Sequence, residues 1–141
     1  REQYPDASLT QTMVRRFKEE YGFVGEPTRQ VSVEVPVRGK EVSIDITQEV
    51  RRACESIMPA IAETAMDLIA KFDPEFQVQV RNNIILAGGG SQIEGIDEYL
   101  TQAMQDISPC RFTRVEDPLF SGASGALALA NDMPMEYWEN L

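Results

Sequence analysis

Residues 83–95 read Asn83-Ile84-Ile85-Leu86-Ala87-Gly88-Gly89-Gly90-Ser91-Gln92-Ile93-Glu94-Gly95. An apolar run stops at three consecutive glycines, and a new apolar periodicity begins beyond them. The run over 83–87 predicts a buried strand, and the periodicity over 93–104 predicts a helix. Glycines let a backbone adopt positive φ and come close to a ligand. A helix start offers unpaired N–H groups and the positive end of the helix dipole. A phosphate, or the phosphate edge of a ribose, is the natural guest of such a loop. A tight strand-to-helix turn with no ligand explains the same glycines. Two familiar nucleotide loops are excluded: Ile96 follows Gly95 where a P-loop needs lysine, and Ile93 stands where a dinucleotide fingerprint starting at Gly88 needs glycine.

Downstream, residues 111–115 suit a short or edge strand. Residues 121–130, rich in Ala, Gly and Leu, suit a helix packed closely against a sheet. Upstream, Val50, Ala53, Cys54, Ile57, Met58, Ile61, Ala65, Leu68, Ile69 and Phe72 form a wide apolar stripe on a long helix that Thr47 can cap. Pro59 falls inside that helix and predicts a kink or break near 55–58. Asp73-Pro74 restarts the chain as N-cap and first helical residue. Val31, Val33, Val35 and Val37 alternate, Arg38-Gly39-Lys40 supplies a turn, and Val42, Ile44 and Ile46 resume the period of two, which predicts a β-hairpin. Before it, Leu9, Met13, Val14, Phe17 and Tyr21 recur at helical spacing, with Asp6 or Ser8 as N-cap and Gly22 as terminator. The later half alternates strand and helix, so the fold class is α/β, a sheet covered by helices, joined to a small α+β helix-and-hairpin unit.

On the first helix Arg15, Lys18 and Glu19 sit at i, i+3 and i+4, away from the stripe of Leu9, Met13 and Phe17. Glu19 suits ribose hydroxyls, and Lys18 and Arg15 suit the face of a base. A solvated, salt-bridged helix surface reads the same way.

The 141 residues carry 13 basic and 23 acidic side chains, a formal charge of −10. Such a surface repels phosphate backbones and anionic lipid, which argues against nucleic acid as partner. It serves solubility, or attraction of a metal–nucleotide complex or a basic partner. No histidine is present, which removes Ser-His-Asp and Cys-His chemistry and most zinc chemistry. Cys54 and Cys110 share no metal-binding spacing and fit a reducing cytoplasm. The apolar stretches are short and interrupted by charge, so no membrane-inserted helix is expected. The opening Arg1-Glu2-Gln3-Tyr4-Pro5, without an initiator Met, reads as part of a longer protein.

Ala87-Gly88-Gly89-Gly90-Ser91 followed by Gly95 resembles the adenosine loop of the actin family, in the triple-glycine form of bacterial actins. Val14-Arg15-Arg16-Phe17-Lys18-Glu19 resembles the Arg-x-x-Lys-Glu cluster that the family carries on a helix across the nucleotide. Phe23-Val24-Gly25-Glu26-Pro27-Thr28, Ala53-Cys54-Glu55, Met58-Pro59, Asp117-Pro118-Leu119-Phe120, Gly125-Ala126-Leu127 and Tyr137-Trp138 extend the likeness along the whole chain. The nearest branch is the magnetosome-aligning bacterial actins, and the rod-shape branch is more distant.

The resemblance implies a partial actin/ribonuclease-H-like ATPase lobe. Residues 1–46 would be the outer small subdomain of the second lobe, and 47–141 the C-terminal portion of its nucleotide-binding subdomain. The implied cofactor is ATP or ADP with Mg²⁺. Gly88, Gly89 and Gly90 would meet the adenosine and α-phosphate side, Ser91 and Gln92 would line it, and Ile93 would pack near the base. Arg15, Lys18 and Glu19 would face base and ribose, and Leu119 or Phe120 would wall the adenine. The family's two Asp-x-Gly phosphate loops and its water-positioning residue have no counterpart in this sequence. The parent is therefore expected to be an ATPase and this chain alone inactive. Implied partners are other copies, assembled as cytoplasmic filaments through the hairpin turn and the loop after Gly25, and magnetosome-associated proteins. A nucleotide-free scaffold or adaptor of the same shape is the alternative, as is a cell-shape actin.

Overall fold

The computed structural model describes residues 7–138. Helix α1 spans Gln11–Tyr21, and its N-cap is Thr10, whose hydroxyl accepts from the Met13 amide at 3.2 Å. This corrects the expected cap. Ser8 instead extends the neighbouring hairpin, donating its N–H to the Pro36 carbonyl at 2.9 Å while Ala7 bridges Val37. Asp6 lies outside the described residues. Gly22 closes α1 with its N–H on the Lys18 carbonyl. It is there for space, since a Cβ would stand 2.5 Å from that oxygen.

Strands β1 (Ser32–Val37) and β2 (Lys40–Asp45) form the antiparallel hairpin that the alternating valines predict. Lys40 belongs to the strand, opposite Val37, so the loop is only Arg38-Gly39. Both residues have positive φ, at 49° and 79°, as a two-residue turn between twisted strands requires. Val33, Val35 and Ile44 are buried, and Leu9, Met13, Phe17 and Tyr21 pack over them. Burying each such valine or isoleucine is worth about 1.5–3 kcal/mol. The alternation of β1 therefore serves a core shared with α1.

Helix α2 (Thr47–Glu55) ends and α3 (Met58–Ile69) begins around Pro59, where the break is expected. Thr47 is the first helical residue, and the carboxylate of Asp45 does the capping. Asp45 Oδ1 accepts from the Thr47 amide at 2.9 Å and from its hydroxyl at 2.6 Å. The Thr47 hydroxyl in turn accepts from the Val31 amide at 2.8 Å, tying hairpin to helix. The apolar stripe is narrower than its sequence suggests. Val50, Cys54, Met58 and Ile69 are buried, whereas Ile57, Leu68 and Phe72 stand exposed.

Helix α4 (Pro74–Arg81) starts at Asp73-Pro74. Strand β3 (Ile84–Leu86) pairs in parallel with β4 (Phe112–Arg114), in the register Ile84↔Phe112 to Leu86↔Arg114. The crossover between them carries a 3-10 turn over Gly89–Gln92 and helix α5 (Ile96–Met104). Ile96, Leu100 and Met104 of α5 join Phe112, Cys110 and the buried face of α2 and α3 in the main core. Two expectations are corrected. β3 is not buried on both faces: Ile84 and Leu86 are half-buried, but Ile85 is 67% exposed. Helix α6 (Ser121–Asp132) forms as expected but buries none of its residues, and Leu127 and Leu129 are exposed. A short α7 (Met135–Trp138) follows, and residues 139–141 of the tail lie outside the described residues. Among the described residues, no helix is long and apolar enough to cross a membrane.

Candidate functional site

The segment that leaves α1 decides what α1 faces. Gly22 turns the chain into an extended conformation, and the next residues lie alongside Glu94. The Glu94 amide donates to the Gly22 carbonyl at 3.0 Å, and the Val24 amide donates to the Glu94 carbonyl at 3.0 Å. Phe23 and Glu94 form a parallel bridge, and Phe23 and Val24 are buried beneath it. The last turns of α1 are thereby held opposite the residues that follow the three glycines. Gly95 closes the junction in the left-handed region, at φ 78°.

The glycine loop differs from a strand running straight into a helix. Gly88 sits at φ 80°, ψ 172°, a conformation that only glycine adopts readily. Its N–H donates to the Pro118 carbonyl at 2.7 Å, which draws residues 117–120 against the loop. The Ser91 amide and hydroxyl both donate to the Gly88 carbonyl, at 3.1 and 2.8 Å. The expected helix over 93–104 starts only at Ile96, because the intervening residues are spent on the 3-10 turn and the Glu94 pairing. The amides of Gly89 and Gly90 have no partner among the described residues.

Between α1 and this loop lies a cavity of about 400 Å³, lined by Lys18, Glu19, Gly89, Gly90, Gln92, Ile93 and Leu119. That volume is at the lower end of small-molecule sites. One side is charged and the floor is bare backbone. Ile93 and Leu119 add apolar surface, and Leu119 approaches to 3.8 Å of where a Gly89 Cβ would be. The side chains of Lys18 and Glu19 have no ion-pair or hydrogen-bond partner among the described residues. The ion pair on α1 is Arg16 with Glu20, at 3.6 Å.

Of the residues singled out in the sequence, Lys18, Glu19, Gly89, Gly90, Gln92 and Ile93 meet in this cavity. Arg15 is exposed one turn earlier and does not line it. Gly88 and Ser91 do not line it either. Ser91 is buried with its hydroxyl turned onto Gly88, so it braces the loop from behind. Leu119 is part of the wall, and Phe120 is not.

Periodicity missed two residues behind the site, Arg51 and Glu55 of α2. Glu55 Oε1 accepts from the Gly25 amide at 3.2 Å and from Arg51 Nε at 2.9 Å. Their i, i+4 spacing on one helix was the available signal. Cys54, beside them, lies under Gly22, and burial above all pushes its thiol pKa up. It is a small core side chain. Among the described residues no group of three or more His, Cys, Asp or Glu could hold a metal ion.

The family model described as MreB/Mbl protein matches residues 2–136. The actin-like protein MamK of Paramagnetospirillum magneticum is 39% identical over 140 residues, 99% of this chain and 40% of that protein. MamK of Magnetospirillum gryphiswaldense is 37% identical over 137 residues, 97% of this chain and 38% of that protein. The chain thus spans about two-fifths of the length of these relatives. A structure of the MamK double helical filament superposes with a TM-score of 0.88 at 39% identity, covering 94% of this chain and 41% of that one. The chain belongs to the MreB/Mbl family and is similar, over nearly all its length, to the actin-like protein MamK.

Proposed function

We propose that this chain is the second-lobe portion of an ATP-dependent, actin-like filament protein, and that the cavity between α1 and the glycine loop holds the adenosine of ATP or ADP. The observation that carries the reading is a single cavity lined at once by Lys18 and Glu19 and by Gly89 and Gly90. Glu19 is unpaired and suits the ribose hydroxyls. Lys18 suits the face of the base, with Ile93 and Leu119 as apolar walls. The unpartnered Gly89 and Gly90 amides suit ribose or α-phosphate oxygens. A non-polymerising MamK mutant bound to AMPPNP has 39% sequence identity to this chain and superposes with a TM-score of 0.85, covering 92% of this chain and 40% of that one.

Residues 1–46 act as the outer subdomain and 47–141 as part of the nucleotide-binding one. Glu19 is the one carboxylate in the cavity wall among the described residues, so Mg²⁺ and the terminal phosphates would be held elsewhere in the full-length protein. Self-association into filaments, and alignment of magnetosomes by them, are part of this proposal, and likeness to MamK and its filament supports it.

The test is titration calorimetry with ATP and ADP on the full-length polypeptide that carries this chain. Lys18→Ala with Glu19→Ala should weaken ATP binding by roughly tenfold or more, the loss of about 1.4 kcal/mol or above. An unchanged affinity would sink the assignment. No binding by the unaltered protein would favour a nucleotide-free scaffold of the same shape. Sedimentation with ATP reports assembly, and a fluorescent fusion that follows cell outline rather than magnetosome rows would favour a cell-shape actin.

A further inference from the structure

We infer that Glu55, held by Arg51, is a positioning residue that sets the width of the nucleotide cavity without touching its occupant. The inference rests on the nucleotide reading above and adds a part of the machinery to it.

The cavity has one wall on α1 and its floor on the glycine loop. The distance between them is fixed where the chain leaves α1, in residues 22–25. One side of that segment is bonded to Glu94, immediately beyond the loop. Another side rests on α2: Cys54 packs under Gly22, and Glu55 Oε1 accepts from the Gly25 amide at 3.2 Å. Gly25 holds φ 85°, a left-handed conformation suited to glycine. Arg51 fixes the carboxylate. Its Nε donates to the same Oε1 at 2.9 Å, and its Nη2 reaches Glu26 Oε1 at 3.3 Å. Arg51 and Glu55 side chains are each only 25% exposed, unlike Glu26 at 88%. Neither Arg51 nor Glu55 lines the cavity.

The segment is therefore clamped between α2 and the loop, and at Gly25 the clamp from α2 is this carboxylate. Without it, residues 22–25 keep their bonds to Glu94 and the packing of Gly22 on Cys54, but Gly25 loses its tie to α2. Lys18 and Glu19 then no longer stand at one fixed separation from Gly89 and Gly90. A site assembled in advance binds more tightly than one that must be ordered by its ligand. The glutamate–arginine pair contributes by that route.

The experiment measures ATP affinity by calorimetry in the full-length polypeptide. Glu55→Ala should weaken binding roughly tenfold. Glu55→Gln keeps an oxygen for the Gly25 amide and should stay within about threefold of the unaltered protein. Added to Lys18→Ala and Glu19→Ala, Glu55→Ala should cost little more, because its effect passes through those two side chains. Should Glu55→Ala not fold, Arg51→Met decides, with a few-fold weakening that vanishes in the Lys18/Glu19 background. Unchanged affinity in Glu55→Ala or Arg51→Met, or losses that simply add, would overturn the positioning role. A protein that binds no ATP, or is indifferent to Lys18 and Glu19, would overturn the nucleotide reading instead.

Discussion

Gly95 turns at φ 78° so close to Val24 that a Cβ on it would stand 3.2 Å from the Val24 carbonyl oxygen. The two residues meet where the segment after α1 pairs with the end of the glycine loop, so their approach holds both walls of the cavity together. Gly95→Ala should disturb both backbone and contact. The left-handed conformation alone costs a residue with a Cβ about 1–2 kcal/mol, and the carbonyl oxygen must also give way. Urea denaturation should show a loss of at least about 1 kcal/mol, with weaker ATP binding in the full-length polypeptide. Stability within a few tenths of the unaltered protein would mean that the junction is not under this constraint.

Gly88 and Gly90 separate folding from binding. A Cβ at either position would meet open space, but only Gly88 has positive φ. Gly88→Ala should therefore cost about 1–3 kcal/mol of stability through backbone strain. Gly90→Ala should leave stability within about 0.5 kcal/mol, yet its methyl stands on a residue of the cavity floor. ATP affinity should fall for Gly90→Ala at nearly constant melting temperature. If thermal denaturation ranks the two variants the other way round, the loop geometry described above is wrong.

The parts legible in the sequence are those where local chemistry decides. The valines of β1 alternate because one face is core, Pro59 splits α2 from α3, and Asp73-Pro74 starts α4. The parts that are not legible depend on distant chain. Ile93 and Ile96 share a helical spacing, which predicts helix from 93, but pairing of Glu94 with Gly22 and Val24 takes those residues out of it. Ile84, Ile85 and Leu86 read as a two-sided core strand, and an apolar run cannot say which face its own chain covers. Helical spacing puts Arg15 with Lys18 and Glu19, but only the last two reach the cavity. That these face Gly89 and Gly90 is legible only through family resemblance, since no periodicity links residues so far apart.

Asp45 makes the junction of hairpin and α2 sensitive to acid. Hydrogen bonds from the Thr47 hydroxyl, then the Thr47 amide and then the Gln30 amide group, hold its carboxyl below the ordinary carboxylate range. A depressed folded-state pKa gives stability that is fully present above the unfolded-state value of about 4 and is lost as pH falls through the lower folded-state value. Asp45→Asn removes the charge. Its urea midpoint should lie below that of the unaltered chain at neutral pH, and the gap should close on acidification below about pH 4. A gap that stays constant down to the acid limit would show that the carboxylate's charge contributes nothing at this junction.

The exposed apolar residues predict how the chain behaves alone. Ile85 on β3 is 67% exposed, and Leu127 and Leu129 on α6 are 63% and 72% exposed. β3 is also paired on one side only among the described residues, by β4. An unpaired strand edge beside bare apolar side chains is a template for association. The isolated chain should therefore self-associate or aggregate as concentration rises, visible as growing mass in size-exclusion chromatography with light scattering. Burying one Ile or Leu side chain is worth about 1.5–3 kcal/mol. Ile85→Thr with Leu129→Gln should accordingly shift the association midpoint at least about tenfold upward in concentration. Both positions face solvent, so the folded content by circular dichroism should hardly change. A monodisperse monomer from the unaltered chain across the accessible range would show that these side chains are tolerated bare, and that nothing needs to cover them.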